Sequence, residues 1–128
     1  MSHPAFSELL ARDRRYKKEA YIFVYETLGY AQDVMKLGKN GLDGEPGNQV
    51  SGQDLCRAAR DYAVQQYGLL AKSVLNSMGI RKTNDIGAIV YNLIEARLMN
   101  KTDRDSIDDF SDVFDFDEAF NEEYKISH

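Results

Sequence analysis

The hydrophobic positions of this chain recur mostly at helical intervals. Apolar residues three or four positions apart predict a short helix over residues 4–12 and a longer one from about 17 to 37. The second helix has two neighbouring apolar stripes, which indicate packing on at least two sides. Residues 38–49 are rich in glycine and lack the Gly-Lys-Ser/Thr sequence of a phosphate loop, so they predict a flexible connector.

The clearest local signal lies at Val50 to Leu55. Ser51 is suited to cap a helix by accepting from the backbone N–H of Asp54, and Val50 and Leu55 can form a hydrophobic staple. This helix is expected to end near Gly68. A shorter apolar pattern then predicts a helix from Leu70 to Met78, closed by Gly79.

Either Thr83 or Asn84 is expected to cap a last long helix, in which Gly87 costs about 1 kcal/mol relative to alanine. That cost suggests the close approach of another helix. The pattern then changes to alternation, which predicts strands at 98–102 and 110–116 around a polar turn. A helical turn follows at 117–120.

These elements predict a mainly α-helical, compact domain with a short C-terminal β-hairpin. The order of short helix, turn, long helix and hairpin resembles a winged helix, in which the hairpin is the wing. A generic orthogonal helical bundle is the preferred alternative, because many helical domains end in a hairpin.

Composition is that of one globular domain spanning residues 1–128. The chain is 43% apolar and 29% charged, and its length leaves room for one hydrophobic core. It has neither a run of about 18 apolar residues nor a signal-peptide core, so no membrane association is expected. The single cysteine, Cys56, excludes an internal disulfide and indicates a cytoplasmic location. A small buried thiol is its preferred interpretation.

Charge is distributed unevenly around the net value of −5. Residues 1–18 contain five basic and two acidic side chains, whereas residues 103–128 contain ten acidic and two basic ones. We call residues 103–128 the acidic segment. Its net charge of −8 disfavours contact with phosphates.

No catalytic constellation is visible in the sequence. The two histidines, His3 and His128, lie at the chain ends, and no His/Cys cluster suits zinc. An EF-hand counted from Asp103 or from Asp115 lacks its third ligand. We therefore predict no enzyme activity, no cofactor and no metal site.

Phenylalanines alternate with carboxylates in the acidic segment, an arrangement suited to docking on a basic groove of a protein partner of unknown identity. A solvated acidic face is the plainer alternative. The candidate partner-binding residues are Asp109, Phe110, Asp112, Phe114, Asp115 and Phe116.

A second hypothesis is nucleic-acid binding or a transcription-associated role. It uses the basic N-terminal cluster, with Tyr16 stacking on a base and the helix at 84–97 as reader. The same cations could instead pair with the acidic end, within the chain or across a homodimer. The cluster consists of Arg12, Arg14, Arg15, Lys17 and Lys18.

Several short stretches of this chain also occur together in other sequences. They are Ala11-Arg12-Asp13, Arg15-Tyr16, Ala20-Tyr21, Val50-Ser51-Gly52-Gln53, Gly68-Leu69, Val74-Leu75, Gly79-Ile80, Asp85-Ile86-Gly87, Val90-Tyr91-Asn92-Leu93-Ile94, Lys101-Thr102, Asp105, Asp109-Phe110 and Asp115-Phe116. In these stretches the chain resembles a family of small uncharacterised bacterial proteins associated with planctomycetes and verrucomicrobia. The resemblance covers most of the chain outside residues 38–48, although the family commonly has tryptophan where this chain has Met78. It implies a bacterial, full-length, self-contained domain and assigns no activity, cofactor or site.

Overall fold

The computed structural model describes residues 4–35, 50–99 and 107–120, and these residues are mainly α-helical. The α-helices are α1 (Pro4–Arg12), α2 (Lys18–Asp33), α3 (Gly52–Tyr67), α4 (Ala71–Met78) and α5 (Thr83–Glu95). Two 3₁₀ helices cover Gly68–Leu70 and Ile107–Phe110, and residues 116–120 are again helical. The predicted mainly helical fold is thus confirmed, although α2 ends at Asp33, earlier than predicted.

The core forms where α2 crosses α3 and α5. Helix α2 buries Tyr21, Phe23 and Val24, and its most extensive helix contact is with α3. Helix α3 presents small residues there, including Ala59 and Ala63, which allow the two backbones to approach closely. The Thr27 hydroxyl is fully buried and donates to the carbonyl oxygen of Phe23, so it leaves no unpaired polar atom in the core.

The start of α3 matches its prediction. Ser51 Oγ accepts from the backbone N–H of Asp54 at 3.0 Å, and both members of the predicted staple, Val50 and Leu55, are buried. A cap of this kind stabilises a helix by about 1 kcal/mol. The boundary was predictable because every group that sets it lies within one turn.

The start of α5 differs from its prediction. Neither Thr83 nor Asn84 caps the helix, because Asp85 accepts from the backbone N–H groups of Arg81 and Lys82 in their place. The Thr83 hydroxyl instead donates to the carbonyl oxygen of Phe110 at 2.6 Å. The side chains expected to cap α5 therefore hold residues 107–120, which we call the C-terminal segment, against the start of that helix. The sequence pattern did not predict this contact.

The prediction that residues 110–116 form the second strand of a hairpin is wrong. No strand occurs among the described residues; Ile107–Phe110 is a 3₁₀ helix, and a helical turn starts at Phe116. Asp115 caps that turn by accepting from the N–H groups of Asp117 and Glu118, an interaction that competes with strand pairing. No wing is therefore present in the part of the chain described. The predicted loop at 38–49, most of the predicted first strand and the acidic residues at 103–106 and 121–128 lie outside the described ranges.

Gly87 is closely approached, as predicted, but by the side chain of Phe110 and not by another helix. A Cβ atom on Gly87 would lie 2.7–2.9 Å from the Cβ and ring atoms of Phe110. A Cβ on Gly52 of α3 would lie 2.9–3.1 Å from Asp109 and the same phenylalanine ring. The two glycines thus form the seat into which Phe110 inserts.

Candidate interaction surfaces

Two of the candidate partner-binding residues belong to the core. Phe110 is 2% exposed and Phe116 is 5% exposed, so the prediction that they act as accessible anchors is wrong. The Phe116 ring lies between Phe114 and Phe120, with ring centroids 5.9 and 5.2 Å away. Among these rings only Phe114 remains partly at the surface.

The candidate carboxylates lie nearer to solvent. Asp112 and Asp115 are exposed, and Asp109 is half-buried beside Gly52. Asp115 uses one carboxylate oxygen to cap residues 116–120, and Asp117 forms an ion pair with Lys72 of α4. These carboxylates are therefore partly engaged in holding the segment itself.

The C-terminal segment faces α4 and the α4–α5 turn across a cleft of about 740 Å³, which we call the mixed-charge cleft. Its two walls carry opposite charges, with Phe114 among the lining side chains. The charged lining residues are Lys72, Arg81 and Lys82 on one wall and Asp112, Asp115, Asp117 and Glu118 on the other.

Sequence reasoning missed the basic wall. Lys72 and Asn76 share a face of α4 because they are four residues apart, which was the one available signal. Arg81 and Lys82 belong to a short turn, in which no hydrophobic periodicity predicts where the side chains point. Their position depends on how that turn packs against a distant part of the chain.

That packing partner is the turn between α1 and α2. The N–H of Lys17 donates to the carbonyl oxygen of Met78 at 3.1 Å, and the Tyr16 hydroxyl donates to Asp85 at 2.6 Å. Since the other oxygen of Asp85 accepts from the Arg81 and Lys82 N–H groups, one carboxylate joins both turns.

The two joined turns bring six exposed cations together, and we call this the composite basic surface. It retains four of the five predicted basic residues and adds two from the α4–α5 turn. Arg12 is excluded because it lies beside Glu95, at the end of α5 that is far from the α4–α5 turn, whereas Arg15 is included although it pairs with Asp13. The members of the surface are Arg14, Arg15, Lys17, Lys18, Arg81 and Lys82.

Tyr16 cannot stack on a nucleic-acid base, so that part of the second hypothesis is wrong. Its side chain is 3% exposed and packs edge-on against Tyr21. Burial, with the Asp85 carboxylate as its hydrogen-bond partner, raises the pKa of Tyr16. Tyr16 thus holds the two turns together from inside, beneath the guanidinium of Arg15, which lies 4.9 Å from the ring centroid.

A polar network supports the same turn. Arg15 makes two side-chain hydrogen bonds to Asp13, at 2.9 and 2.7 Å, and the Asn92 amide donates to Asp13 and to the Tyr21 hydroxyl. The hydrogen bonds from Arg15 are the largest cause that holds the pKa of Asp13 well below its usual range. Asp13 therefore stabilises the fold in its ionised form.

Replacing this carboxylate should change how stability depends on pH. Because the pKa of Asp13 is lower in the folded protein than in the unfolded chain, its contribution is complete above the ordinary carboxyl value of about 3.8 and is lost as pH falls. Asp13→Asn should lower the free energy of unfolding by about 1–3 kcal/mol at pH 7, with a difference from wild type that shrinks below about pH 4.

Urea denaturation monitored by circular dichroism, at pH values from 7 down to 3, measures this difference. Glu95→Gln is the matched control, since Glu95 pairs with Arg12 in an exposed geometry that contributes little. A constant difference between Asp13→Asn and wild type over the whole pH range would contradict the assignment.

The described residues contain one thiol, Cys56, and no histidine. Cys56 is fully buried, as predicted, and burial raises the pKa of its thiol to about 12, which keeps it protonated. Within residues 4–35, 50–99 and 107–120, no group of three His, Cys, Asp or Glu side chains could hold a metal ion.

The described helices are all too short or too polar to cross a membrane. The resemblance to the planctomycete and verrucomicrobial family stays a prediction. Comparisons of the chain with family models, with curated proteins and with solved structures find no match.

Proposed function

We propose that this protein is a non-enzymatic interaction domain that binds a protein partner in the mixed-charge cleft. The observation that carries the proposal is the opposition of two charged walls across about 740 Å³, Arg81 and Lys82 against Asp112, Asp115 and Glu118. Lys72 and Asp117 already form an ion pair between the two walls. The proposal keeps the acidic segment as the part that contacts the partner. The charged walls of the cleft take the place of the buried Phe110 and Phe116 rings as the main contacts.

The cleft suits a partner segment that itself carries both charges. Carboxylates of the partner would meet the basic wall and its lysines or arginines would meet the acidic wall, which fixes the direction in which the segment binds. Phe114 supplies an aromatic ring at the surface, the kind of residue that carries much of the energy at protein interfaces.

A test neutralises each wall separately. Asp112 has φ +50°, a conformation that asparagine tolerates, so Asp112→Asn with Glu118→Gln removes two charges from the acidic wall without backbone strain. Arg81→Gln with Lys82→Gln removes two from the basic wall. Asp115 is left unchanged because it caps residues 116–120.

Affinity capture with wild-type protein identifies partners, and titration with a purified partner measures them. Each double variant should weaken binding about tenfold or more, whereas Glu8→Gln on the exposed face of α1 should not. A partner bound equally by wild type and both double variants would exclude the cleft.

Nucleic-acid binding is a second candidate function, favoured by the composite basic surface. Six exposed cations on two joined turns can neutralise several backbone phosphates in a chain whose overall charge is −5. With Tyr16 buried and no wing formed by residues 110–116, contact would be through phosphates alone, without base readout.

A gel-shift series with duplex DNA across salt concentrations separates the two candidates. Phosphate contacts predict that log K falls by about 0.9 for each tenfold rise in salt per phosphate bound. Lys17→Gln with Lys18→Gln should reduce that slope, while Arg12→Gln should not. The absence of any shift at low salt would exclude this candidate.

A further inference from the structure

Among the described residues, helix α2 has one face whose side chains are largely exposed, although the Tyr25 hydroxyl donates to the carbonyl oxygen of Leu98 at 3.4 Å. Ile22 and Tyr25 are large apolar side chains that are 43% and 54% exposed. Gly29 lies on the same face, and a Cβ atom there would have no neighbour within 4 Å. Exposed Lys18 and Asp33 stand at the two ends of this face.

The apolar surface continues sideways from α2. A groove of about 430 Å³ runs between Ile22 and Tyr25 on one side and Phe6 and Leu98 on the other. The groove is lined mainly by apolar side chains and lies apart from the mixed-charge cleft. Contiguous exposed apolar surface of this kind marks interaction sites.

We propose that this face binds a second copy of the chain, with α2 packed antiparallel against α2 across a twofold axis. An axis that passes between Tyr25 and Glu26 places Ile22 opposite Gly29 of the second copy. The same register places Lys18 opposite Asp33 of the second copy, and the symmetry repeats both contacts.

Charge complementarity selects this arrangement. Lys18 and Asp33 are fifteen residues apart, which is about 22 Å along a helix, so each end of one α2 reaches the opposite end of the other. A parallel arrangement would place like charges together at both ends. Two attractive pairs become two repulsive ones when the direction is reversed.

Shape complementarity points the same way. Ile22 lies one turn from the axis on one side, and Gly29, one turn from it on the other side, has no side chain to obstruct the isoleucine of the second copy. In the antiparallel register each isoleucine therefore meets a glycine, while the two Tyr25 rings lie next to the axis. This is the self-complementary contact that a twofold interface requires.

One helix face and its flanking groove make a small interface. We expect reversible association with a micromolar dissociation constant, since obligate dimers bury much larger surfaces. Sedimentation velocity over a range of protein concentrations should therefore show a monomer–dimer equilibrium. A wild-type chain that stays monomeric at every concentration would overturn the proposal.

The first variant places a charge within the apolar part of the face. Ile22→Asp should weaken dimerisation about tenfold or more, because it buries a carboxylate twice in each interface. Leu69→Asp is the matched control, since Leu69 is a large apolar residue that is 69% exposed and lies outside the face. Equal dimerisation by the two variants would overturn the proposal.

The second test addresses the register. Lys18→Glu and Asp33→Lys should each weaken association, and the double variant should restore it, because the exchange rebuilds both ion pairs with reversed sign. A double variant weaker than either single one excludes the antiparallel arrangement. Circular dichroism melting of each variant shows that its fold is intact. Lys18 also belongs to the composite basic surface, so its variants are compared only by self-association of the purified chain. Ile22 and Asp33 line neither the cleft nor the basic surface, so Ile22→Asp and Asp33→Lys give results independent of the proposed function.

Discussion

Alanine at position 79 should destabilise the fold by about 3 kcal/mol or more, because it adds a steric clash to an unfavourable backbone conformation. Gly79 has φ +103°, in the left-handed region that favours glycine. A Cβ atom there would lie 2.2 Å from the carbonyl oxygen of Arg15. Backbone atoms cannot rotate away as a flexible side chain can, so the two turns must separate.

Separation of the two turns would also disrupt the composite basic surface. Gly79 immediately follows Met78, whose carbonyl oxygen accepts from Lys17, and lies near the Tyr16 hydroxyl bond to Asp85. Separating the turns stretches both hydrogen bonds and moves the cations of one turn away from those of the other. Gly79→Ala should therefore weaken any polyanion binding at this surface as well as stability.

Urea denaturation of Gly79→Ala, Gly79→Asn and Gly29→Ala measures the effect. Asparagine tolerates left-handed backbone, so Gly79→Asn separates conformational strain from the clash and should be about as destabilising as alanine. Gly29→Ala lies in an open part of α2 and should stabilise the protein by about 0.5–1 kcal/mol. Near-wild-type stability of Gly79→Asn would contradict the predicted clash.

The sequence predicted the elements that depend on local interactions. The Ser51 cap, the Gly79 stop and the spacing of apolar residues each act within about one turn, so no knowledge of the tertiary structure was needed. The hairpin prediction failed because the alternation at 110–116 was short. The backbone N–H groups of Asp112 and Val113 donate to Asn84 and Thr83, and these hydrogen bonds, with the Asp115 cap, outweigh the alternation.

The candidate surfaces were harder to predict for a related reason. Charge counts marked the two ends of the chain as candidates, but exposure depends on which side chains the fold covers. The Phe110 ring fits a seat made by glycines on two helices, Gly52 and Gly87, a relation that no single-sequence pattern encodes. Arg81 and Lys82 likewise gain their place only because Asp85 joins two turns distant in sequence.

Phe110→Ala is expected to lower the free energy of unfolding by about 3–5 kcal/mol, the usual range for removing a buried phenylalanine ring. Phe110 is 2% exposed, and its carbonyl oxygen accepts a hydrogen bond of 2.6 Å from the Thr83 hydroxyl. Loss of the ring should free residues 107–120 from α3 and α5, and so remove one wall of the mixed-charge cleft.

Urea denaturation gives the stability change, and hydrogen exchange of residues 107–120 reports release of the segment. Ile107→Ala is the matched control in the same 3₁₀ helix, since Ile107 is 50% exposed and should cost less than about 1 kcal/mol. If the segment kept its protection in Phe110→Ala, the ring would not be what holds it.

A double-mutant cycle with Gly87 tests the seat directly. In the wild-type background Gly87→Ala should destabilise the protein, because its Cβ would meet Phe110 ring atoms at 2.8–2.9 Å. In the Phe110→Ala background only the Cβ contact at 2.7 Å remains, and the released segment can shift to relieve it, so the same substitution should cost less. Fully additive effects would mean that Gly87 does not accommodate the ring, whereas a large coupling energy would show that glycine and phenylalanine act as one unit. Because that unit fixes the acidic wall against α5, its coupling energy also measures how firmly the cleft is built.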